Sequence, residues 1–148
     1  MEAEYKPVPE FPDSSIKLSI ASTPAHLPVV RSAVESVCKL VGFDESTRGE
    51  IVLAVDEALA NVIKHAYQGS NDKPIEIILR SVGGDKTTLQ IELRDWGRQV
   101  APAAMKSRDL DDVRPGGLGV HIMERCMDEV KYTHAPDGGT LLTLIKIL

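Results

Sequence analysis

Two pairs of strand-like segments, each joined by a short glycine-containing turn, constrain the fold of this chain most. "IEIILRSV" and "KTTLQIELR" flank "GGD", and "VKYTH" and "TLLTLIKIL" flank "APDGG". Alternating apolar and polar side chains are typical of half-buried strands, and a short connection of this kind joins antiparallel neighbours. The sequence therefore predicts two hairpins and a mostly antiparallel sheet.

Three helical segments and one more strand complete the predicted order. "SIKLSI" alternates as a strand and precedes a helix that starts at Thr23 and Pro24, or slightly later because of Pro28, and ends at Gly42. A second helix opens in "FDEST" and runs to about Tyr67; after a long loop with a short helical piece, "LGVHIMERCMDEV" forms a third. This order predicts an α/β (α+β) two-layer sandwich, a mostly antiparallel mixed sheet with helices on one face.

Length and composition limit the domain organisation and the partners. The 148 residues, 43% of them apolar, suit one domain, which we expect at 15–148 after a flexible N-terminal tail at 1–14 with three prolines. The net charge of −5, without a basic block, argues against nucleic acid. Two distant cysteines and the lack of a signal peptide or a long apolar run predict reduced thiols, no membrane partner and a cytoplasmic location.

A polar stripe interrupts the second predicted helix within "EALANVIKHAY". Glu57, Asn61 and Lys64 fall at i, i+4 and i+7, so a helix would stack them along one face. An isolated stripe of this kind is usually a solvated face. The stripe becomes informative only beside other motifs.

Three glycine-bearing stretches supply such motifs. "RDWGRQV" ends a strand with Asp95 and Gly97, "RPGGLGVHIM" places glycines at the mouth of a helix, and "DGGTLLT" puts Thr140 at the start of the last strand. Each stretch alone is a weak signal, since turns and helix entries commonly carry glycine. Their order along the chain makes the combination specific.

Together these motifs resemble the GHKL ATP-binding superfamily, which includes gyrase, the heat-shock chaperone, histidine kinases and the mismatch-repair ATPase. "EALAN" matches its N box, "DWG" and "GGLGVHIM" its two glycine boxes, and "GGT" its late threonine motif, over about residues 15–148. The chain is most similar to the small anti-sigma factor serine kinases of bacterial partner-switching systems. One departure is Gln99, where the first glycine box often has a second glycine.

The resemblance implies ATP and Mg²⁺ as cofactors and assigns roles to the polar stripe. Glu57 would be the general base, because its carboxylate can accept a hydroxyl proton. Asn61 would be the magnesium ligand, because Mg²⁺ prefers oxygen and an amide adds no negative charge beside phosphates. Lys64 would offset phosphate charge.

The resemblance also implies an adenine site and a phosphate site. Asp95 would accept a hydrogen bond from adenine's amine, Gly97 would let the backbone approach the base, and Thr140 would bond toward the adenine or a neighbouring water. Residues 100–115 would form the ATP lid. The phosphates would lie at the start of the third helix, where backbone amides are free, at Gly117, Leu118, Gly119 and Val120.

The implied function is a protein serine/threonine kinase that holds a sigma factor inactive and phosphorylates a STAS-type anti-sigma-factor antagonist, as a homodimer. The alternative is a non-catalytic ATP-binding switch that sequesters a regulatory partner. Glu57 favours the kinase, because a pure binder has no use for a base at that place. A P-loop is absent, and the four histidines lack metal-site spacing.

Arg31, on the first helix, has two interpretations. An exposed ion pair with Glu35, one turn later, is the commoner role for a helical arginine. The resemblance instead implies that Arg31 contacts acidic residues of the protein partners, a task that the planar guanidinium group suits.

Overall fold

A computed structural model describes residues 15–83, 86–99 and 118–148. The predicted tail at 1–14, the predicted lid at 100–115 and Gly117 lie outside the described residues. The elements in chain order are β1 (Ile16–Ala21), a 3₁₀ turn (Pro24–His26), α1 (Leu27–Val41), α2 (Glu45–Asn61), a π-helical turn (Val62–Ala66), β2 (Pro74–Val82), β3 (Thr88–Asp95), α3 (Leu118–Cys126), β4 (Glu129–His134) and β5 (Thr140–Ile147).

The strands form one sheet in the order β1-β2-β3-β5-β4. Both predicted hairpins are present: β2 pairs with β3 and β4 pairs with β5. Every pairing among the described residues is antiparallel, including β1 with β2 and β3 with β5. This sheet covered by helices confirms the predicted fold class, and it brings the C-terminal end of β3 beside the start of β5.

The core lies between one face of the sheet and the helices. Alternate residues of the central strands are buried there, against apolar residues of α1, α2 and α3. Full burial of each such aliphatic side chain contributes about 1.5–3 kcal/mol of transfer free energy. The opposite face carries partly exposed polar side chains such as Glu76, Arg80 and Glu92. The buried strand residues are Ile75, Ile77, Leu79, Leu89, Ile91, Leu93, Leu142 and Leu144.

The helix boundaries follow local signals at three places. Pro28 lies in the first turn of α1, where it costs no helical hydrogen bond, and Gly42 ends this helix with φ of 109°. Asp44 caps α2, since its carboxylate accepts a hydrogen bond of 2.8 Å from the Thr47 amide.

No helix within the described ranges is long and apolar enough to cross a membrane.

Two boundaries differ from the prediction. The third helix ends at Cys126 instead of continuing through "DEV", because Asp128 donates its amide to Ile145 and the following residues pair with β5. The second helix keeps α-helical geometry only to Asn61 and then widens into the π-helical turn. Both changes arise from contacts with distant segments.

Candidate functional site

Glu57 and Asn61 lie one turn apart on α2, and the start of α3 packs directly against them. A Cβ atom built on Gly119 would lie 3.0 Å from Glu57 Oε2, 3.2 Å from Asn61 Nδ2 and 3.4 Å from Asn61 Oδ1. A glycine at this position therefore leaves the space that the two polar side chains occupy. The structure thus brings together Glu57, Asn61 and Gly119, which come from two separate sequence motifs.

The chemical groups around Gly119 fit a Mg²⁺ site of the kind that completes its shell with water and substrate phosphates. Asn61 offers one amide oxygen as the donor, and the cradle that a Cβ would fill lies beside this amide and beside the Glu57 carboxylate. Magnesium prefers oxygen ligands and commonly takes only one or two from the protein when phosphates are bound. The donor set suits a metal bound together with a triphosphate.

Lys64 does not continue the α-helical stripe of Glu57 and Asn61. It lies in the π-helical turn, where the Tyr67 amide donates to the Val62 carbonyl at 2.9 Å, five residues back. Lys64 is exposed, and its predicted place on a common face with Glu57 and Asn61 presupposes an α-helical period that the π-helical turn does not keep. Burial lowers the pKa of the neighbouring His65, and the charges of Lys64 and Arg98 lower it further.

Asp95 is a buried carboxylate at the end of β3. It is 3% exposed, and its Oδ1 accepts a hydrogen bond of 3.0 Å from the Gly97 amide. Burial raises the pKa of Asp95, against the lowering effects of the Gly97 amide, the Arg94 charge and the Thr140 backbone. Thr140 is 6% exposed, and its backbone interaction with Asp95 places the two predicted adenine-binding residues next to each other.

The π-helical turn packs against the segment that follows Asp95. A Cβ on Gly97 would collide with the carbonyl group of Ala66 and lie 2.9 Å from Tyr67 Cδ1. The Arg98 amide donates to the Ala66 carbonyl at 2.9 Å, and the Trp96 amide donates to the Tyr67 hydroxyl at 2.8 Å. The π-helical turn and the segment that follows Asp95 are therefore held together by one backbone and one side-chain hydrogen bond, and their close approach leaves no room for a side chain at position 97.

The remaining predicted residues lie at the start of α3. Leu118 is the first described residue of α3, and Val120 is buried in the core, so its side chain packs against other apolar groups. Sequence reasoning missed Tyr67 as a contact of the Asp95 segment. Tyr67 closes the "EALANVIKHAY" stretch, but no spacing rule within that stretch indicates a partner just after β3.

Arg31 pairs with Asp56 across the two helices, and not with Glu35 as in the first of its two interpretations. Arg31 Nε lies 2.8 Å from both carboxylate oxygens of Asp56, and its side chain is 46% exposed. Glu35 instead accepts from Arg48 Nε at 2.8 Å. The i+4 spacing indicated the wrong partner because α2 packs beside α1 and offers a closer acid. Asp56 directly precedes Glu57.

Comparison with known sequences gives one family match and a set of curated relatives. The family described as "Histidine kinase-like ATPase domain" matches residues 20–146. Serine-protein kinase RsbW of Bacillus velezensis is 27% identical over 141 residues, covering 90% of this chain and 85% of that protein. RsbW of Bacillus subtilis has the same identity and coverage. RsbW of Listeria monocytogenes is 26% identical, with 90% and 87% covered.

Two solved structures share the fold. The RsbU and RsbW domains of a Mycobacterium tuberculosis protein match with a TM-score of 0.64 and 20% identity, over 90% of this chain and 32% of that longer chain. The SiaB–SiaC complex of Pseudomonas aeruginosa matches with a TM-score of 0.63 and 10% identity, over 90% of this chain and 88% of the other. At these identities the likeness concerns the fold alone.

Proposed function

Because this chain belongs to the histidine kinase-like ATPase family, as its four motifs predict, we propose that it is an ATP- and Mg²⁺-dependent protein serine/threonine kinase and an anti-sigma factor. Its substrate is a STAS-type antagonist, and its second partner is the sigma factor that it holds inactive. The curated relatives are named serine-protein kinases. The observation that carries the proposal is the close approach of Gly119 to the Glu57 carboxylate and the Asn61 amide.

Glu57 is the proposed general base. It accepts the proton of the antagonist's serine hydroxyl while the serine oxygen bonds to the γ-phosphorus and the bond from that phosphorus to the ADP oxygen breaks. The carboxylate lies against Gly119, at the N-terminal end of α3. Since the start of a helix stabilises anions, the transferring phosphoryl group would lie between this helix end and the base.

Asn61 is the proposed Mg²⁺ ligand through its amide oxygen. When bound, the metal supplies positive charge across the phosphates during transfer. Gly119 itself places no side chain against the Asn61 amide. Lys64 is proposed to add positive charge toward the phosphates from the π-helical turn, where its side chain is exposed.

Asp95 is the proposed reader of adenine. Its carboxylate accepts a hydrogen bond from adenine's exocyclic amine, and guanine is disfavoured because it presents an oxygen there. Burial of Asp95 strengthens this selection, since a carboxylate left without its partner in a dry site is costly. Thr140 adds a hydroxyl beside the base, and Gly97 keeps the backbone close to it.

Arg31 is the proposed contact for both protein partners. Its guanidinium group uses one nitrogen on Asp56 and has further N–H groups to offer, and its side chain is 46% exposed. An acidic residue of the sigma factor or of the antagonist would bind these donors. The proposal includes a homodimer and a cytoplasmic location, where ATP and sigma factors occur together.

The direct experiment incubates the protein with γ-labelled ATP, Mg²⁺ and a STAS-domain protein from the same organism. We expect label on a serine of the STAS protein, and none when that serine is replaced by alanine. Binding of both ATP and the STAS protein without transfer of label would refute the kinase proposal. That result would support the non-catalytic switch instead.

A further inference from the structure

The residues that follow Asp95 are fastened to the β4–β5 turn by the side chain of Gln99. Its Nε2 atom donates to the carbonyl of Ala135 at 3.0 Å and to the carbonyl of Gly139 at 3.0 Å. These two carbonyls flank the turn, so one amide group spans both sides of it. A glycine at position 99 would have no side chain to make either bond.

Arg94 fastens the same turn from the preceding strand. Its Nη1 atom donates to the carbonyls of Asp95 at 2.6 Å and Gly138 at 2.9 Å, and its Nη2 atom lies 2.7 Å from Asp137 Oδ1. The side chain is only 16% exposed, and its guanidinium carbon lies 4.8 Å from the centre of the Trp96 ring. Gln99 and Arg94 therefore clamp the turn to the end of β3 from both sides of Asp95.

The clamped turn is also in direct backbone contact with Asp95. Gly139 has φ of 76°, and a Cβ there would collide with the Asp95 carbonyl and lie 2.6 Å from Trp96 Cα. Thr140 follows Gly139 immediately and is buried, as is Asp95. The position of the turn against β3 therefore determines the separation of the Asp95 carboxylate and the Thr140 side chain.

We propose that Gln99 is a positioning residue for purine selectivity, which with Arg94 holds Asp95 and Thr140 at the separation that adenine requires. This inference rests on the proposed nucleotide-binding role of Asp95. Gln99 lies at the surface, so its hydrogen bonds exchange with water and contribute little to the free energy of unfolding. Its effect falls instead on alignment, to which a buried hydrogen-bonding site is sensitive.

A purely structural role for Gln99 makes a different prediction. It would lower the stability of the β4–β5 hairpin and weaken the binding of every nucleotide equally. A positioning role changes the binding of nucleotides that use Asp95 and spares those that do not. Inosine triphosphate is the matched probe, because it carries an oxygen in place of the amine of ATP.

The test compares Gln99→Ala with Gln90→Ala by calorimetric titration with Mg²⁺ and either ATP or inosine triphosphate. Gln90 is the matched control, because its Nε2 donates at 2.7 Å to Glu92 on the outer face of the sheet. We expect Gln99→Ala to weaken the binding of ATP by about two- to tenfold, the equivalent of one hydrogen bond. The binding of inosine triphosphate should change little. In Gln90→Ala, the ratio of the affinity for ATP to the affinity for inosine triphosphate should stay at the wild-type value.

Trp96, the chain's one tryptophan, gives a readout without nucleotide. Acrylamide should quench its fluorescence more strongly in Gln99→Ala than in the wild type or Gln90→Ala, because the loosened segment carries the indole. An unchanged ATP-to-inosine-triphosphate ratio in Gln99→Ala would overturn the positioning role while leaving the proposed kinase intact. A wild-type protein that binds neither nucleotide would overturn the proposed function, and with it the role of Gln99 in selectivity.

Discussion

Replacing Gly119 with alanine is expected to reduce phosphoryl transfer without destabilising the protein. Gly119 is helical, within α3, so its backbone accepts alanine without strain, and alanine has the higher helix propensity. The added methyl group, however, would lie 3.0 Å from Glu57 Oε2 and 3.2 Å from Asn61 Nδ2. The substitution therefore favours the helix and crowds the two polar side chains of the site.

The size of the effect follows from these distances. Ordinary contacts of a Cβ atom begin at 3.4 Å, so the Glu57 carboxylate has to move by a few tenths of an ångström. A misplacement of 1 Å at a reacting centre costs on the order of a hundredfold in rate. A shift of a few tenths of an ångström should therefore lower kcat by about tenfold. The free energy of unfolding should stay within about 1 kcal/mol of the wild type, because both side chains can yield toward solvent.

The assay combines chemical denaturation of the nucleotide-free protein with the rate of label transfer to the STAS protein. Gly49→Ala is the matched control, since Gly49 lies inside α2 and a Cβ there meets nothing within 4 Å. We expect Gly49→Ala to raise the free energy of unfolding by about 0.5–1 kcal/mol and to leave the transfer rate unchanged. Wild-type transfer by a well-folded Gly119→Ala protein would refute the proposed arrangement of Glu57 and Asn61.

Three further predictions test metal binding, base recognition and partner binding. Asn61→Ala should weaken the binding of ATP in the presence of Mg²⁺ but not in its absence, as titrations under both conditions would show. Equally weakened binding under both conditions would mean that Asn61 is not the metal ligand. Asp95→Asn should raise the free energy of unfolding of the nucleotide-free protein and abolish the preference for ATP over GTP in thermal shift. The stability gain follows because burial raises the pKa of Asp95, so the folded state binds the proton more tightly than the unfolded state. Ionisation at neutral pH therefore costs stability, and this cost shrinks as the pH falls below the raised pKa and is gone below the pKa of the unfolded chain. Retained ATP preference in that variant would contradict the adenine-reading role. Arg31→Glu should weaken partner capture by at least ~1.4 kcal/mol, a tenfold loss, with ATP binding unchanged. Adding Asp56→Arg to Arg31→Glu should restore an ion pair between the two helices but not the affinity for the partner. If the double variant captures the partner as the wild type does, the Arg31–Asp56 pair serves folding alone.

The hairpins and the order of elements were predictable from the sequence because they depend on local signals. Strand alternation and glycine turns predicted β2–β3 and β4–β5, and Gly42 predicted the end of α1. The meeting of Glu57 with Asn61 followed from the α-helical period. The approach of Gly119 to this pair was implied only by the resemblance, because no local rule joins α3 to α2.

The π-helical turn could not be predicted because its cause is tertiary. Val62–Ala66 reads as a continuation of α2, but the Ala66 carbonyl accepts from the Arg98 amide, and Gly97 packs against it. These contacts compete with the α-helical pattern. The same reason applies to "DEV", whose strand pairing with β5 overrides a helical pattern.

The contacts of Arg31 and Gln99 could not be predicted from sequence spacing. Sequence spacing paired Arg31 with Glu35, whereas the fold supplies Asp56 from the neighbouring helix. Gln99 stood out only as a departure from the glycine box, and its two hydrogen bonds to the β4–β5 turn depend on the docking of that turn. A residue that bridges distant segments leaves no periodic signal in its own segment.

The central claim is that Glu57 accepts the hydroxyl proton during phosphoryl transfer. The most direct test is a single-turnover measurement of transfer from ATP to the STAS protein in wild type and Glu57→Gln, at matched occupancy by ATP and by the partner. Glutamine keeps the size and polarity of the side chain but cannot take up the proton. We predict equal occupancy and a transfer rate lowered by about a hundredfold or more in Glu57→Gln. A rate within a factor of about two of the wild type, at equal occupancy, would contradict the account.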